Sequence, residues 1–159
     1  MNIEFKKLSE INPSKIIELM NHPFVRKHMP LAKGVFDDAA CKKFLLAKQK
    51  LWMDHGFGPW AFVLDGQFVG WGGLQPEHGD ADLALVLHPR YWGFGRVIYH
   101  QIIERAFGTF GFSSVTVLFP PTRHRIKGLL QLGFKPDGEL IIEGERFIRY
   151  RLSQHQVGC

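Results

Sequence analysis

The feature that most restricts what this chain can fold into lies between residues 82 and 110. An apolar strand, Asp82 to Leu87, runs through His88-Pro89 into a turn with two glycines, Arg90-Tyr91-Trp92-Gly93-Phe94-Gly95. A helix should follow, because Ile98, Ile102, Ala106 and Phe110 recur as one stripe with Tyr99, Ile103 and Phe107 beside it. An apolar face that wide belongs to a helix packed on a sheet. Strand, glycine turn and helix in that order also form an anion site. Glycines let the main chain approach closely, the first helical amides lack internal partners, and the helix dipole places partial positive charge there. Phosphate is the natural occupant, although a bare GxG also describes an ordinary tight turn.

The flanking segments supply the rest of the fold. A short strand spans about Ile3 to Leu8, and Asn12-Pro13 offers a cap followed by proline at the first helical position. Ile16, Ile17, Leu19 and Met20 continue that helix until His22-Pro23 ends it. A second helix begins at Asp37, with Cys41, Phe44, Leu45, Lys48 and Trp52 at helical spacing, and runs to Gly56 with its lysines toward solvent. Trp60 to Leu64 and Phe68 to Leu74 flank Asp65-Gly66, a strong hairpin signal. Val115 to Phe119 reads as a buried strand stopped by Pro120-Pro121, followed by a helix over Thr122 to Leu132 that Gly133 closes. Leu140 to Glu143 and Arg146 to Leu152 form a last hairpin around Gly144. The expectation is one α/β domain over residues 1–159, with helices flanking a mixed, largely antiparallel sheet.

Composition narrows the function. The 20 Lys and Arg against 15 Asp and Glu give +5, a modest excess that favours an anionic ligand without requiring nucleic acid. The basic residues are scattered and there is no basic tail, so a nucleic-acid interface is not expected. Cys41 and Cys159 form no CxxC, and the eight histidines show no tight metal-ligand spacing, so no metal is expected. No G-x-S-x-G and no P-loop lysine is present. The first residues carry no apolar signal core and no run has transmembrane length, so a cytoplasmic protein is expected. The tail from Ser153 to Cys159 reads as a loose end, and oligomeric state is open, a homodimer included.

Leu87-His88-Pro89-Arg90-Tyr91-Trp92-Gly93-Phe94-Gly95 after an apolar strand resembles the Q/R-x-x-G-x-G/A segment of GNAT acetyltransferases. Its Trp-Gly-x-Gly form is similar to the ribosomal-protein N-terminal acetyltransferase branch. Gln131-Leu132-Gly133-Phe134 matches the Leu-Gly-Phe that closes the family's last helix, and the segment from His22 to Pro30 resembles that branch between its first two helices. The resemblance implies a GNAT fold, acetyl-CoA as cofactor and acetyl transfer to a primary amine. It places Val86, Leu87 and His88 along the pantetheine arm, and Arg90, Tyr91, Trp92, Gly93, Phe94, Gly95, Arg96 and Val97 around the diphosphate. Arg96 reads equally well as a solvated first-turn arginine.

The chain also departs from the family pattern. Val97 stands where many members have a small residue, Thr122 and Arg125 where they have Asn and Ser, and Leu129 where many have a proton-donating tyrosine. Gly128 weakens the last helix without an evident reason. For the general base, Asp82 is the first choice, since the branch often has an acid there, with Asp80, Glu77, His78 and His88 next. Trp60 and Trp71 could wall an acceptor pocket. The acceptor is a protein N-terminus or a small molecule. A non-catalytic cofactor binder and a basic interaction module are the rival readings.

Overall fold

The computed structural model describes residues 2–29, 31–123 and 126–154. Seven strands form one sheet: β1 (Ile3–Lys6), β2 (Pro59–Leu64), β3 (Gln67–Glu77), β4 (Asp80–Leu87), β5 (Ser114–Phe119), β6 (Lys135–Ile142) and β7 (Glu145–Ser153), in the order β1-β2-β3-β4-β5-β7-β6. Every pairing is antiparallel except β4 with β5. The mixed, largely antiparallel sheet expected from the sequence is therefore the one observed.

Local chemistry accounts for most boundaries. Asn12 Oδ1 accepts the Ser14 amide at 3.0 Å and starts α1 (Pro13–Asn21), which breaks at His22-Pro23. The chain does not leave helical geometry there for long, because His22 Nδ1 caps the Phe24 amide and a one-turn α2 (Pro23–Arg26) follows. Asp37 caps α3 (Asp38–His55) through the Ala40 amide at 2.8 Å. The β2–β3 hairpin turns on Asp65 and Gly66, both at positive φ (49° and 80°), which is why a small polar residue and a glycine stand there.

The first strand stops at Lys6 rather than Leu8, because Leu8–Glu10 form a 3-10 turn that buries Leu8. Of the helix expected over Thr122 to Leu132, the described residues show α5 (Lys127–Gln131), with Pro121 and Thr122 in a turn. Gly133, at φ 106°, closes it. The final strand reaches Ser153, and the Gln154 amide still bonds the Ser113 carbonyl, so the tail is tied further along than expected. Arg125 and residues 155–159, including Cys159, lie outside the described residues.

The two faces of the sheet carry separate cores. Phe62, Leu74, Val115 and Leu152 pack with Ile98, Ile102 and Ala106 of α4 (Gly95–Glu104) and the π-type turn that continues it. On the other face, Ala61 and Trp71 pack with Ile16, Leu19 and Met20 of α1 and with Cys41 of α3. Gly70 and Gly72 of β3 adjoin β4 so tightly that a Cβ would collide with the carbonyl oxygens of Val86 and Ala84. Among the described residues no helix is long and apolar enough to cross a membrane, and no group of three His, Cys, Asp or Glu could hold a metal ion.

Ile98 has no exposed surface and anchors α4 to the sheet. Ile98→Ala should lower unfolding free energy by about 2–5 kcal/mol, the usual penalty for a buried Ile truncated to Ala. Urea titration checks this, and a loss under ~1 kcal/mol would contradict the packing described.

Candidate functional site

The sheet opens between β4 and β5. β4 and β5 meet through a single parallel register, Asp82 opposite Thr116, and no further ladder pairs join them among the described residues. β5 cannot follow β4 because it is paired residue by residue with β7 from Ser114 to Phe119. The two strands therefore part beyond Asp82, leaving the last residues of β4 without a ladder partner on that side among the described residues. At Phe119, the end of β5, lies a cleft of about 160 Å³ lined also by Trp92, Gly95, Arg96, Tyr99 and Leu129, among others.

At the end of β4 the chain enters a 3-10 turn, Pro89–Phe94, that passes directly into α4. His88 starts it, its Nδ1 accepting the Arg90 amide at 3.1 Å and its carbonyl accepting the Tyr91 amide at 2.8 Å. Phe94 provides no side-chain cap for α4. The Gly95 amide is already bonded to the Trp92 carbonyl, so it is not one of the free donors expected over Trp92 to Val97. Neither Gly93 nor Gly95 has the positive φ that would call for glycine. A Cβ on Gly93 would meet nothing within 4 Å, so the chain's own packing leaves room at that residue. An uncapped helix start with open space before it is what a diphosphate needs.

The other residues expected here fall into different surroundings. Val86 packs against the α1–α3 core and Leu87 is buried against α4, as alternation along a strand requires. The Leu87 carbonyl accepts the Trp92 indole N–H at 2.9 Å. The His88 amide donates to the Val69 carbonyl at 2.9 Å, so it is already paired. Arg96 reaches across the cleft mouth to Gln131 at 2.9 Å, while Val97 is half exposed. Tyr99, hidden in the apolar stripe when the sequence is read alone, lines the same cleft beside Leu129, and burial raises its pKa. Its position at helical spacing from apolar residues gave no sign of this role.

Asp82 stands at the vertex of the wedge, where its Oδ1 accepts the hydroxyl of fully buried Thr116 at 2.8 Å. Burial pushes its pKa up to about 7, with Glu77 and Asp80 adding to the rise and the Thr116 bond opposing it. The alternative bases are otherwise engaged. Asp80 is held by two Arg151 nitrogens at 2.8 and 3.1 Å, Glu77 lies 3.5 Å from His78, and His88 caps the turn. Of the two tryptophans, Trp60 packs among Phe5, Trp52 and Phe110 on the α4 face, whereas Trp71 lies on the Asp82 face against Phe44 and Met20.

Lys48 departs from the expectation that the α3 lysines face solvent. Lys42, Lys43 and Lys50 do, but Lys48 lies over the rings of Phe44 and Trp71, at 5.4 and 5.0 Å from their centroids, and donates to Gln75 Oε1. Burial lowers its pKa to about 8. The sequence did hold a signal, since Lys48 sits four residues from both Phe44 and Trp52 on the apolar stripe.

The acetyltransferase (GNAT) domain family matches residues 7–135. Among curated proteins no sequence relative matches. Solved structures share the fold at low identity. A GNAT-family acetyltransferase from Bacillus anthracis is 15% identical over 98% of this chain and 96% of its own, with TM-score 0.78. The aminoglycoside acetyltransferase AAC(6')-Ib, solved with coenzyme A, is 12% identical over 98% and 96%, with TM-score 0.76. The Campylobacter jejuni N-acetyltransferase PseH, solved with acetyl coenzyme A, is 20% identical over 96% and 99%, with TM-score 0.66.

The pKa of Asp82 sets a stability slope. Its folded value lies above its unfolded value, so its contribution is fully present below about pH 4 and lost as pH rises through about 7. Asp82→Asn, which can still accept from Thr116, should flatten the fall in stability across that window and gain on the wild type above pH 7. Denaturation midpoints from pH 4 to 8 check this, and parallel curves for the two proteins would contradict the assignment.

Proposed function

The chain belongs to the GNAT acetyltransferase family, and from that membership we propose that it moves the acetyl group of acetyl-CoA to a primary amine by direct attack on the thioester. The observation that carries this reading is the wedge: β4 and β5 part beside a buried carboxyl, in front of an uncapped helix start. The Trp-Gly-Phe-Gly turn favours the ribosomal-protein N-terminal acetyltransferase branch, and the acceptor is a small molecule or a protein N-terminus.

Val86 and Leu87 would flank the pantetheine arm with their main chain. Residues Arg90 through Val97 would surround the diphosphate, with the amides of Arg96 and Val97 nearest the helix axis and the Arg96 guanidinium at the mouth. Open space at Gly93 supports close approach there. When bound, acetyl-CoA supplies an activated acyl group, so the chain needs only to align the amine, remove its proton and supply one to the departing sulfur.

Asp82 removes the proton. A carboxyl with a pKa of about 7 is a far stronger base than an exposed one, yet is about half ionised at neutral pH. Tyr99 takes the acid role that Leu129 leaves open, because it lines the cleft and burial keeps its hydroxyl protonated.

Turnover should rise with pH through an inflection near 7 as Asp82 ionises. Asp82→Asn should lower kcat about 10²–10⁴-fold, the usual share of general-base catalysis, with coenzyme A affinity retained. Full turnover by that variant across pH would remove Asp82 from the reaction. Gly93→Ala should leave stability within ~0.5 kcal/mol of wild type but weaken coenzyme A binding about tenfold or more, since blocking one charge-assisted hydrogen bond forfeits that much affinity. Calorimetry with coenzyme A measures this, and unchanged affinity would move the diphosphate elsewhere.

A further inference from the structure

Lys and Arg are spread along the sequence, but Asp and Glu are not. No carboxylate side chain occurs between Asp82 and Glu104 or between Glu104 and Asp137, and those two stretches hold seven of the 20 Lys and Arg. The remaining residues carry 13 basic against 15 acidic side chains, so the net positive charge of the chain comes from these two stretches. They also supply every described residue on the wall of the cleft at Phe119, with α4 and its turn on one side and β5, the turn after it and α5 on the other. A cleft walled by one sign of charge attracts anions.

Two guanidiniums reach that cleft, Arg96 from the first turn of α4 and Arg123 from the segment after β5. Neither has a carboxylate partner among the described residues. Arg96 donates to the neutral Gln131 Oε1 at 2.9 Å, and Arg123 lies over the ring of Phe119, 4.0 Å from its centroid. By contrast, Arg146, Arg149 and Arg151 of β7 all pair with acids. The Arg123 charge acts on groups around the cleft. Burial and then Arg123 lower the pKa of His28, whose ring stands 5.8 Å from that of Trp92, and at Tyr99 on the α4 wall burial raises the pKa while Arg123 opposes it. Gly128 lines the cleft from α5, and a Cβ there would meet nothing within 4 Å, so packing within the chain gives no reason for a residue that weakens a helix.

We propose that Arg96 and Arg123 hold a phosphate monoester between the two walls, the 3′-phosphate of coenzyme A, and that the protein thereby selects coenzyme A over its 3′-dephosphorylated form. The inference rests on the cofactor reading above, in which main-chain amides at the start of α4 serve the diphosphate. A monoester carries about −1.5 to −2 charges at neutral pH and three acceptor oxygens, so it can accept from two guanidiniums at once. The present partners of both arginines are neutral, and a charge-assisted hydrogen bond is about twice as strong as a neutral one. The phosphate therefore displaces Gln131 from Arg96. Arg123 stays stacked on Phe119 while the edge of its planar fork donates. An occupant between the walls also gives Gly128 its reason, since a side chain there would narrow the space.

Calorimetry with coenzyme A and with 3′-dephospho-coenzyme A, at one fixed ionic strength, tests this. The wild type should bind coenzyme A at least about tenfold tighter than the dephosphorylated form. Arg123→Gln should lose about tenfold in affinity for coenzyme A, with affinity for the dephosphorylated form within about twofold of wild type. Arg96→Gln should lower the same ratio, and Arg123→Lys, which keeps the charge without the fork, should retain part of it. A purely structural role for Arg123 would weaken both ligands alike, and binding of the dephosphorylated form shows that each variant is folded. A wild-type ratio near one, an equal loss of both ligands in Arg123→Gln, or an unchanged ratio in either glutamine variant overturns the clamp and leaves the diphosphate site and acetyl transfer standing. Failure of the wild type to bind either ligand overturns the cofactor reading and the clamp with it.

Discussion

The contact on which the rest depends is the bond between Asp82 and Thr116. Among the described residues it marks the only register at which β4 and β5 pair, and it lies where a buried hydroxyl meets a half-buried carboxyl. β5 is committed to β7 along its whole length, and β4 to β3 along its own, so the sheet halves can touch there and then diverge. Thr116 is fully buried and needs an acceptor, and Asp82 is the group placed to provide one. The same bond that joins the sheet halves thus holds a carboxyl at the vertex of the opening between them.

That arrangement carries an electrostatic penalty. Asp82 is ionised less readily than a solvated carboxylate because water is withdrawn from it and two other acids lie near. Lys48 meets the opposite penalty, its charge disfavoured by burial against two aromatic rings. Structural ion pairs avoid such terms by pairing, as Arg151 does with Asp80 and Asp137. Among the described residues neither Asp82 nor Lys48 has an ion pair, each being held by a neutral hydrogen-bond partner, Thr116 or Gln75. Groups with pKa values moved toward neutrality in this way concentrate where proton transfer occurs.

Much of the fold was legible because local chemistry decided it. Asp65-Gly66 turned the hairpin, Asn12 and Asp37 started their helices, and Gly133 ended the last one. What was not legible depended on contacts between distant segments. No single-sequence pattern shows that β4 and β5 share one register, so the wedge could be expected only through family resemblance. The lysines of α3 were assigned to solvent by residue type, yet position on the stripe placed Lys48 under the helix. Tyr99 looked like core because it sits in the apolar stripe, and only the fold shows that it also lines a cleft. Where a helix was expected from Thr122, Pro121 and Thr122 form a turn, and the helix described, α5, has five residues.

The most direct test of this account is a crystal structure of the protein soaked with coenzyme A. The account predicts density for the diphosphate at the start of α4, within hydrogen-bond distance of main-chain amides between Trp92 and Val97, and for the thiol end in the opening between β4 and β5 near Asp82. Density for the diphosphate away from α4, or a β4–β5 pairing closed along its length with the ligand on another surface, would contradict it.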